Sequence, residues 1–329
     1  MPIHYDVTAI GNAILDVIAP ADEAFLTAHG LAKGSMSLVD EDQSARLYAA
    51  MAPGLETSGG SGANTIAGVA SFGARAAYLG KVAKDQLGEV FTHDIRAIGV
   101  AFDVPPLIGG AATARSLINV TADGERTMST FLGASNQLTA ADVPPELIER
   151  SKIIFLEGYL FDPSEAREAF AKAAGIARTW ERPIALTLSD AFVVERHRRA
   201  LLGFIESQVD IVFANEAEVT ALFETSDFEA AVAALAARTR IAAVTRGERG
   251  SVITEGDARY EVAAYPVDKV IDTTGAGDQY AAGFLYGLAT DKPLDHCGRL
   301  GSLAAAEVIS HYGPRPQVSL SALAAEEGL

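Results

Sequence analysis

Short runs of apolar, β-prone residues alternate along this chain with longer segments whose apolar positions recur at helical spacing. The strand pattern predicts Asp6–Ile10, Ala76–Leu79, Lys152–Leu156, Ile184–Leu188, Asp210–Phe213 and Ile241–Thr245. Between them the helical pattern predicts Gly62–Ser71, Gln86–Ile98, Ser164–Thr179, Ala217–Phe223 and Phe228–Ala237. Strands this apolar, separated by helices, are those of a parallel sheet covered on both faces. Ligands of such sheets bind beyond the carboxyl ends of the strands. The residues leaving the predicted strands are Gly11-Asn12, Gly80-Lys81, Glu157-Gly158, Ser189-Asp190, Asn215-Glu216 and Arg246-Gly247, polar or glycine almost throughout, as a cleft rim requires.

Two segments depart from the alternation. Residues 13–47 and 104–133 carry β-like runs (Ala13–Ile18, Met36–Val39, Ala114–Val120, Thr127–Leu132) without long helices between them. Asp123-Gly124 separates two of these runs and is a strong hairpin signal. The pattern therefore predicts an α/β fold: a three-layer sandwich with a mostly parallel central sheet flanked by helices, formed by 1–12, 48–103 and 134–329. Segments 13–47 and 104–133 are expected to form a small β-sheet lid over the cleft.

A length of 329 residues fits about two domains at ~150 residues each, and 49% apolar with 21% charged residues excludes a mainly disordered chain. With 26 basic against 43 acidic residues the net charge is −17, which argues against nucleic acid or an anionic membrane as the partner. Cys297 is the only cysteine, so no intrachain disulfide forms. The start, MPIHYDVTAIGNAILDV, has no basic region ahead of an apolar run, and Thr57 to Ala74 contains five glycines and cannot span a bilayer. The expectation is a soluble cytoplasmic protein, monomer or homodimer, with small-molecule ligands. The six histidines lack HxH or HxxxH spacing, against a zinc site.

The strongest chemical signal is Ile271-Asp272-Thr273-Thr274-Gly275-Ala276-Gly277-Asp278, running into Gln279–Leu288 with helical spacing. It places Gly275, Ala276 and Gly277 at a helix N-terminus, where free N–H groups and the dipole attract an anion. Asp278 then enters the first turn, well placed to accept a hydroxyl proton beside a bound phosphate. The alternative is a Gly-rich turn with an ordinary first-turn acid. A second signal, Ser58-Gly59-Gly60-Ser61-Gly62-Ala63-Asn64, fails the dinucleotide pattern GxGxxG at Thr65, and no GxxxxGK[ST] occurs. A tight turn entering a helix remains, with Asn64 able to bond a polar ligand.

In Gly11-Asn12-Ala13-Ile14-Leu15-Asp16, Asn12 leaves the first strand, and the Asp16 carboxylate suits vicinal hydroxyls of a sugar ring. Asn215-Glu216-Ala217-Glu218 reads either as a near capping box or as two ligands, Asn215 and Glu218, around a hydrated Mg²⁺. Arg126 falls at the lid hairpin, free in solvent or able to swing onto phosphates.

Together these residues resemble the ribokinase, or PfkB, family of carbohydrate kinases over essentially the whole chain. Gly59-Gly60-Ser61-Gly62-Ala63-Asn64 with Gly73 and Gly80 is similar to its N-terminal signature, and Asp272–Asp278 to its C-terminal one. The resemblance implies a ribokinase-like fold, an anion hole at Gly275, Ala276 and Gly277, and Asp278 as base. Gly11–Asp16 is closer to the GNPLLD of adenosine-kinase-like members than to ribokinases. Leu188–Phe192, Asp210–Glu216 and Asp291–Leu294 also look like adenosine-kinase stretches, and Ser61 replaces the usual ribokinase Lys. Gly158-Tyr159-Leu160-Phe161 offers an aromatic face for a purine. Glu157, by contrast, matches the ribokinase Glu that contacts sugar hydroxyls.

The resemblance further implies ATP as donor, bordered by Thr245, Arg246, Gly247, Gly250 and His311. It also implies a monovalent cation, K⁺, near Asp272, Thr274, Val308, His311 and Gly313. The implied reaction is phosphorylation of a nucleoside 5′-hydroxyl, adenosine to AMP. Asn12, Asp16, Gly59, Gly60, Ser61, Asn64, Glu157 and Tyr159 would hold the acceptor, while Asp278, the glycine turn, Mg²⁺ and Arg126 act on the phosphoryl group. A sugar kinase of the ribokinase or fructokinase type and a non-catalytic nucleoside-binding regulator are the alternatives.

Overall fold

The computed structural model describes residues 2–329. Its strands, in chain order, are β1 (Tyr5–Ile10), β2 (Ile14–Pro20), β3 (Met36–Leu38), β4 (Leu55–Gly59), β5 (Ala76–Leu79), β6 (Ala114–Val120) and β7 (Arg126–Phe131). They continue with β8 (Ser151–Glu157), β9 (Ile184–Thr187), β10 (Ile211–Asn215), β11 (Ile241–Thr245), β12 (Ser251–Glu255) and β13 (Ala258–Val262). An 8-stranded sheet has the order β13-β12-β11-β10-β9-β8-β1-β5, and a 5-stranded sheet the order β3-β7-β6-β2-β4. The large sheet is parallel from β5 through β11 and antiparallel only at its β11–β12–β13 edge.

Period-two alternation explains why both faces of the large sheet are covered. On β8, Ile153 and Phe155 face one core with Phe213, Ile66 and Phe284, while Ile154 and Leu156 face another with Phe170, Val212 and Val244. The first core continues through Leu15, Val17 and Leu117 into the small sheet. Among the described residues, no helix is long and apolar enough to cross a membrane.

The predicted core strands and helices are present with small changes at their ends. Within the small domain the structure adds two helices, Glu23–Ala28 and Glu41–Ala50, which the β-like pattern of 13–47 conceals. Local capping selects them: Asp22 accepts from the Phe25 amide and Asp40 from the Gln43 amide, each at 2.7 Å. β4 also departs from the expected division. Leu55–Gly59 lies in the stretch 48–103 expected in the core, yet it is an edge of the small sheet, because Ile14 to Ile18 of β2 supply its partners. Asp123-Gly124 forms the predicted turn, with Gly124 at φ 84° between antiparallel β6 and β7.

Candidate active site

β1 lies between β8 and β5, which are reached by crossovers in opposite directions, so the sheet order reverses there and a crevice opens at the strand ends. Gly11 and Asn12 leave β1 at this point, and Glu157 closes β8. Glu157 is 1% exposed. Its carboxylate accepts from Asn12 Nδ2 at 2.9 Å, the Asn12 amide at 3.2 Å and the Gly62 amide at 2.7 Å. A Cβ on Gly11 would stand 2.4 Å from Glu157 Oε2 and 2.9 Å from the Tyr78 hydroxyl, so a side chain at the β1 exit would displace the Glu157 carboxylate. Burial pushes Glu157 up to about 7, against the pull of those donors. The residue expected on acceptor hydroxyls thus joins the β1 exit to the Ser61–Ser71 helix, since a buried acceptor takes the nearest donors.

The second component is the start of the Ala276–Ala289 helix. Gly275 precedes it at φ 80°, and a Cβ there would lie 2.7 Å from Pro314 Cα, so only glycine makes this turn. No side chain caps the helix; the Ala276 amide donates to the Thr273 carbonyl at 3.2 Å, and the amides of Gly277 and Asp278 are left for an anion. Gly277 borders open space. Asp278 lies in this first turn and reaches across to the other glycine segment: Ser61 Oγ donates to its Oδ1 at 2.6 Å and Asn64 Nδ2 to its Oδ2 at 3.2 Å. Burial pushes Asp278 up to about 6, while the two donors hold it down. Ser61 and Asn64, expected to touch the acceptor, are turned onto the carboxylate.

Asp16, on β2 and 7% exposed, completes the pocket. A Cβ on Gly59 would fall 2.2 Å from Asp16 Oδ2, and one on Gly60, at φ 90°, 2.3 Å from the Asn12 carbonyl. Gly60 is therefore required where the backbone meets the β1 exit, and a side chain at Gly59 would displace the Asp16 carboxylate. Burial pushes Asp16 up to about 7, opposed by Arg315 and Arg126 and reinforced by Asp278. Of the aromatic stretch after β8, only Tyr159 stays at the cleft, its phenol pushed up by burial and by Asp190, Glu157, Asp278 and Glu218. Phe161 turns into the core instead, edge-on to Phe170 and Phe204 at centroid distances of 6.0 and 5.5 Å.

Arg126 is neither solvated nor free to swing. Its side chain is 8% exposed and ion-paired with Asp272, and its guanidinium carbon stands 5.7 Å from the Tyr312 ring centroid. Asp272 also accepts from the Thr274 amide at 3.1 Å, Thr274 Oγ1 at 2.7 Å and the Gly313 amide at 3.0 Å. The small sheet is thereby pinned to the loop preceding Gly275. That engagement leaves only carbonyls, not the Asp272 carboxylate, for the expected monovalent cation. The Ile271 amide donates to the Ile309 carbonyl at 2.8 Å, which brings 271–274 beside Val308, His311 and Gly313.

On the expected donor side, Asn215 and Glu218 form a closed capping box. The Asn215 amide and Nδ2 donate to Glu218 at 2.9 and 2.7 Å, and the Glu218 amide returns a bond to Asn215 Oδ1 at 2.9 Å. Burial pushes Glu218 up to about 7, with Asp190 and Asp278 adding to the rise. Thr245 Oγ1 faces the Ala214 carbonyl at 3.4 Å, and Arg246 stacks on Phe228 at 3.8 Å from the centroid. Gly247 and Gly250 take φ of 59° and 78° around the turn after β11. His311 is held by Glu307 at 3.2 Å and by the Tyr312 carbonyl at 3.1 Å, so its ring is engaged within its own segment. Among the described residues, no three His, Cys, Asp or Glu side chains converge as a metal-ion site.

One residue of the site has no counterpart among the sequence candidates. Arg315 enters from the C-terminal segment and donates to Ser58 Oγ at 2.6 Å, Asp94 Oδ2 at 3.2 Å and Asn64 Oδ1 at 3.3 Å. Its only local signal is position: Pro314 and Pro316 flank it and restrict the backbone that carries it.

The chain is similar to proteins of known family and fold. A family model described as pfkB family carbohydrate kinase matches residues 49–320. The chain is similar to the solved structure of an adenosine kinase from Sinorhizobium meliloti, with 52% identity, 99% coverage of both chains and a TM-score of 0.91. A Rhizobium etli structure described as a probable sugar kinase protein shows 48% identity, the same coverage and a TM-score of 0.93. Adenosine kinase 2 of Arabidopsis thaliana is 26% identical over 336 residues, covering 94% of this chain and 96% of the plant protein.

Proposed function

This chain belongs to the pfkB family of carbohydrate kinases, and from that premise we propose that it transfers the terminal phosphoryl group of ATP to the 5′-hydroxyl of a nucleoside, adenosine in the first place. The reaction class follows from the family: it is a phosphotransferase with an alcohol group as acceptor. The observation that carries the proposal is Asp278 in the first turn of an uncapped helix, with its carboxylate on the same crevice as Asp16. Similarity at 52% identity to an adenosine kinase supports the nucleoside as acceptor.

In this reading Asp16 and Asn12 take the ribose hydroxyls, with the Gly59-Gly60 turn closing over the ring and Tyr159 flanking the base. Asp278 accepts the proton of the 5′-hydroxyl as that oxygen attacks in line. The first amides of the 276–289 helix, reached through Gly275, Ala276 and Gly277, hold the charge on the phosphoryl oxygens. Arg126, held on Asp272, keeps the small sheet closed over the crevice and water out.

The donor set also fits a hydrated cation. Glu218 is 6% exposed, faces the negative Asp190 and Asp278, and has no basic side chain paired with it among the described residues. Glu218 and Asn215 would hold Mg²⁺ through its waters, and the ion would supply neutralisation of phosphate charge.

ADP formation measured side by side with adenosine, inosine, ribose and fructose tests the proposal. Adenosine is expected to lead. Ribose or fructose in the lead establishes the sugar-kinase reading, which the 48% identity to a probable sugar kinase favours, and no ADP with any acceptor leaves a binding protein. Asp278→Asn is expected to lower kcat by ~10²–10⁴ with ligand affinity retained. A variant keeping more than half its activity removes Asp278 from the role of base.

A further inference from the structure

Arg315 takes no part in the transfer itself, yet its guanidinium bonds Asn64, Ser58 and Asp94 beside the base. Its guanidinium spans two groups that do not touch each other. On one side Nη1 donates to Ser58 Oγ and Asp94 Oδ2, and on the other Nε donates to Asn64 Oδ1. The other end of the Asn64 amide donates to Asp278 Oδ2. We propose that Arg315 is a positioning residue for the base: by holding Asn64 Oδ1 it obliges that amide to present Nδ2 to Asp278.

An asparagine side chain turned by half a revolution keeps its shape and exchanges donor for acceptor. Turned the wrong way, Asn64 would set its oxygen against the Asp278 carboxylate. A cationic donor on Oδ1 makes the correct orientation the only one with both ends satisfied, and it polarises the amide so that Nδ2 donates more strongly.

The surroundings keep Arg315 in that position. Asp94 accepts from the Ser58 amide at 2.7 Å, from Ser58 Oγ and from Thr57 Oγ1 at 3.3 Å. Against the opposing effect of burial, those bonds and Arg315 hold Asp94 below the usual carboxylate range, so it stays ionised as an anchor. Gln279, fully buried, donates from its Nε2 to the Asn64 carbonyl at 2.9 Å and to the Pro314 carbonyl at 3.0 Å. It therefore clamps the backbones of Asn64 and of the residue before Arg315. Pro314 packs in turn on Gly275.

The inference rests on Asp278 being the base, and the test separates the two. Asp278 is also in the field of Asp16, Glu157, Glu218, Tyr159 and Tyr78, while Arg126 and Arg315 act on Asp16. A change in general field must therefore be distinguished from a change in the amide. The full-length protein, labelled with ¹³C-aspartate and free of ligand, is titrated by NMR; the Asp278 carboxyl signal is identified by its loss in Asp278→Asn.

The midpoint is expected to rise by about one pH unit in Asn64→Ala and equally in Arg315→Gln, with no further rise in the double variant. Arg315→Lys keeps the charge, but a single ammonium cannot reach Asp94 and Asn64 together, so it should behave like Arg315→Gln. An unmoved midpoint in Arg315→Gln, additive shifts, or a wild-type midpoint in Arg315→Lys overturns the proposal. Should Arg315→Gln fail to fold, Arg315→Lys against Asn64→Ala decides it on the same criteria. Retained turnover in Asp278→Asn would remove the base assignment but leave the titration result standing.

Discussion

Ser61→Ala is the sharpest probe of the base, because it deletes one hydroxyl and nothing else that touches Asp278. That hydroxyl donates to Oδ1 at 2.6 Å, leaving Asn64 as the remaining donor at 3.2 Å. A hydrogen bond to a charged acceptor contributes roughly 1.5–3 kcal/mol, and one pH unit corresponds to ~1.4 kcal/mol. The upper bound is thus about one to two units, and water entering the vacated space returns part of it, leaving about one. The sign follows from the direction: losing a donor to the ionised form raises the pKa further above its present value of about 6. Since only the ionised carboxylate accepts a proton, the loss of rate is confined to the acid side.

With the midpoint moved from about 6 to about 7, the ionised fraction at pH 7 falls from roughly nine-tenths to about one-half. The corresponding rate ratios are about fivefold at pH 6, about twofold at pH 7 and about one at pH 9. Single-turnover measurements with saturating magnesium ATP and acceptor across that range read them directly. A deficit of the same size at every pH would mean that Ser61 shapes the pocket without acting on the base.

Two further outcomes follow from the same geometry. Gly59→Ala puts a methyl 2.2 Å from Asp16 Oδ2, so the carboxylate must rotate away. The acceptor KM is expected to rise at least about tenfold with the ATP KM unchanged, since a hydroxyl-binding group is lost; the reverse pattern would move the acceptor pocket elsewhere. Stability should respond to pH in the sense opposite to ordinary acid denaturation. Asp16, Glu157 and Glu218 are raised to about 7 and Asp278 to about 6 by burial. The folded protein therefore binds more protons than the unfolded chain between roughly pH 4 and 7, and its stability falls as pH rises through that window. Urea unfolding at pH 5.5 and pH 8 is expected to show the higher midpoint at pH 5.5; a lower one would mean that these groups are solvated.

Much of the architecture is written locally. The alternating strands of the large sheet carry apolar residues for both faces, and Gly275 and Gly60 announce turns that a side chain would obstruct. The extra helices of the small domain were also signalled, by Asp22 and Asp40, but six to ten residues of capped helix carry too weak an apolar repeat to stand out from β-like neighbours. β4 was hidden for a different reason: Leu-Glu-Thr-Ser-Gly has little strand character, and β2 makes it a strand by pairing.

The chemistry divides along the same line. The order of residues alone determined that Asp278 would follow a glycine turn into a helix, and that Asn12 and Asp16 would flank the first strand exit, since these depend on neighbours a few positions apart. Folding decided which partner each polar side chain takes. Glu157 serves Asn12 and Gly62, Asn64 serves Asp278, Arg126 serves Asp272, and Arg315, 251 residues beyond Asn64, joins the base network. A buried donor or acceptor is satisfied by whatever the fold brings within about 3 Å, and that distance is set by the packing of the two sheets and their helices, not by separation along the chain.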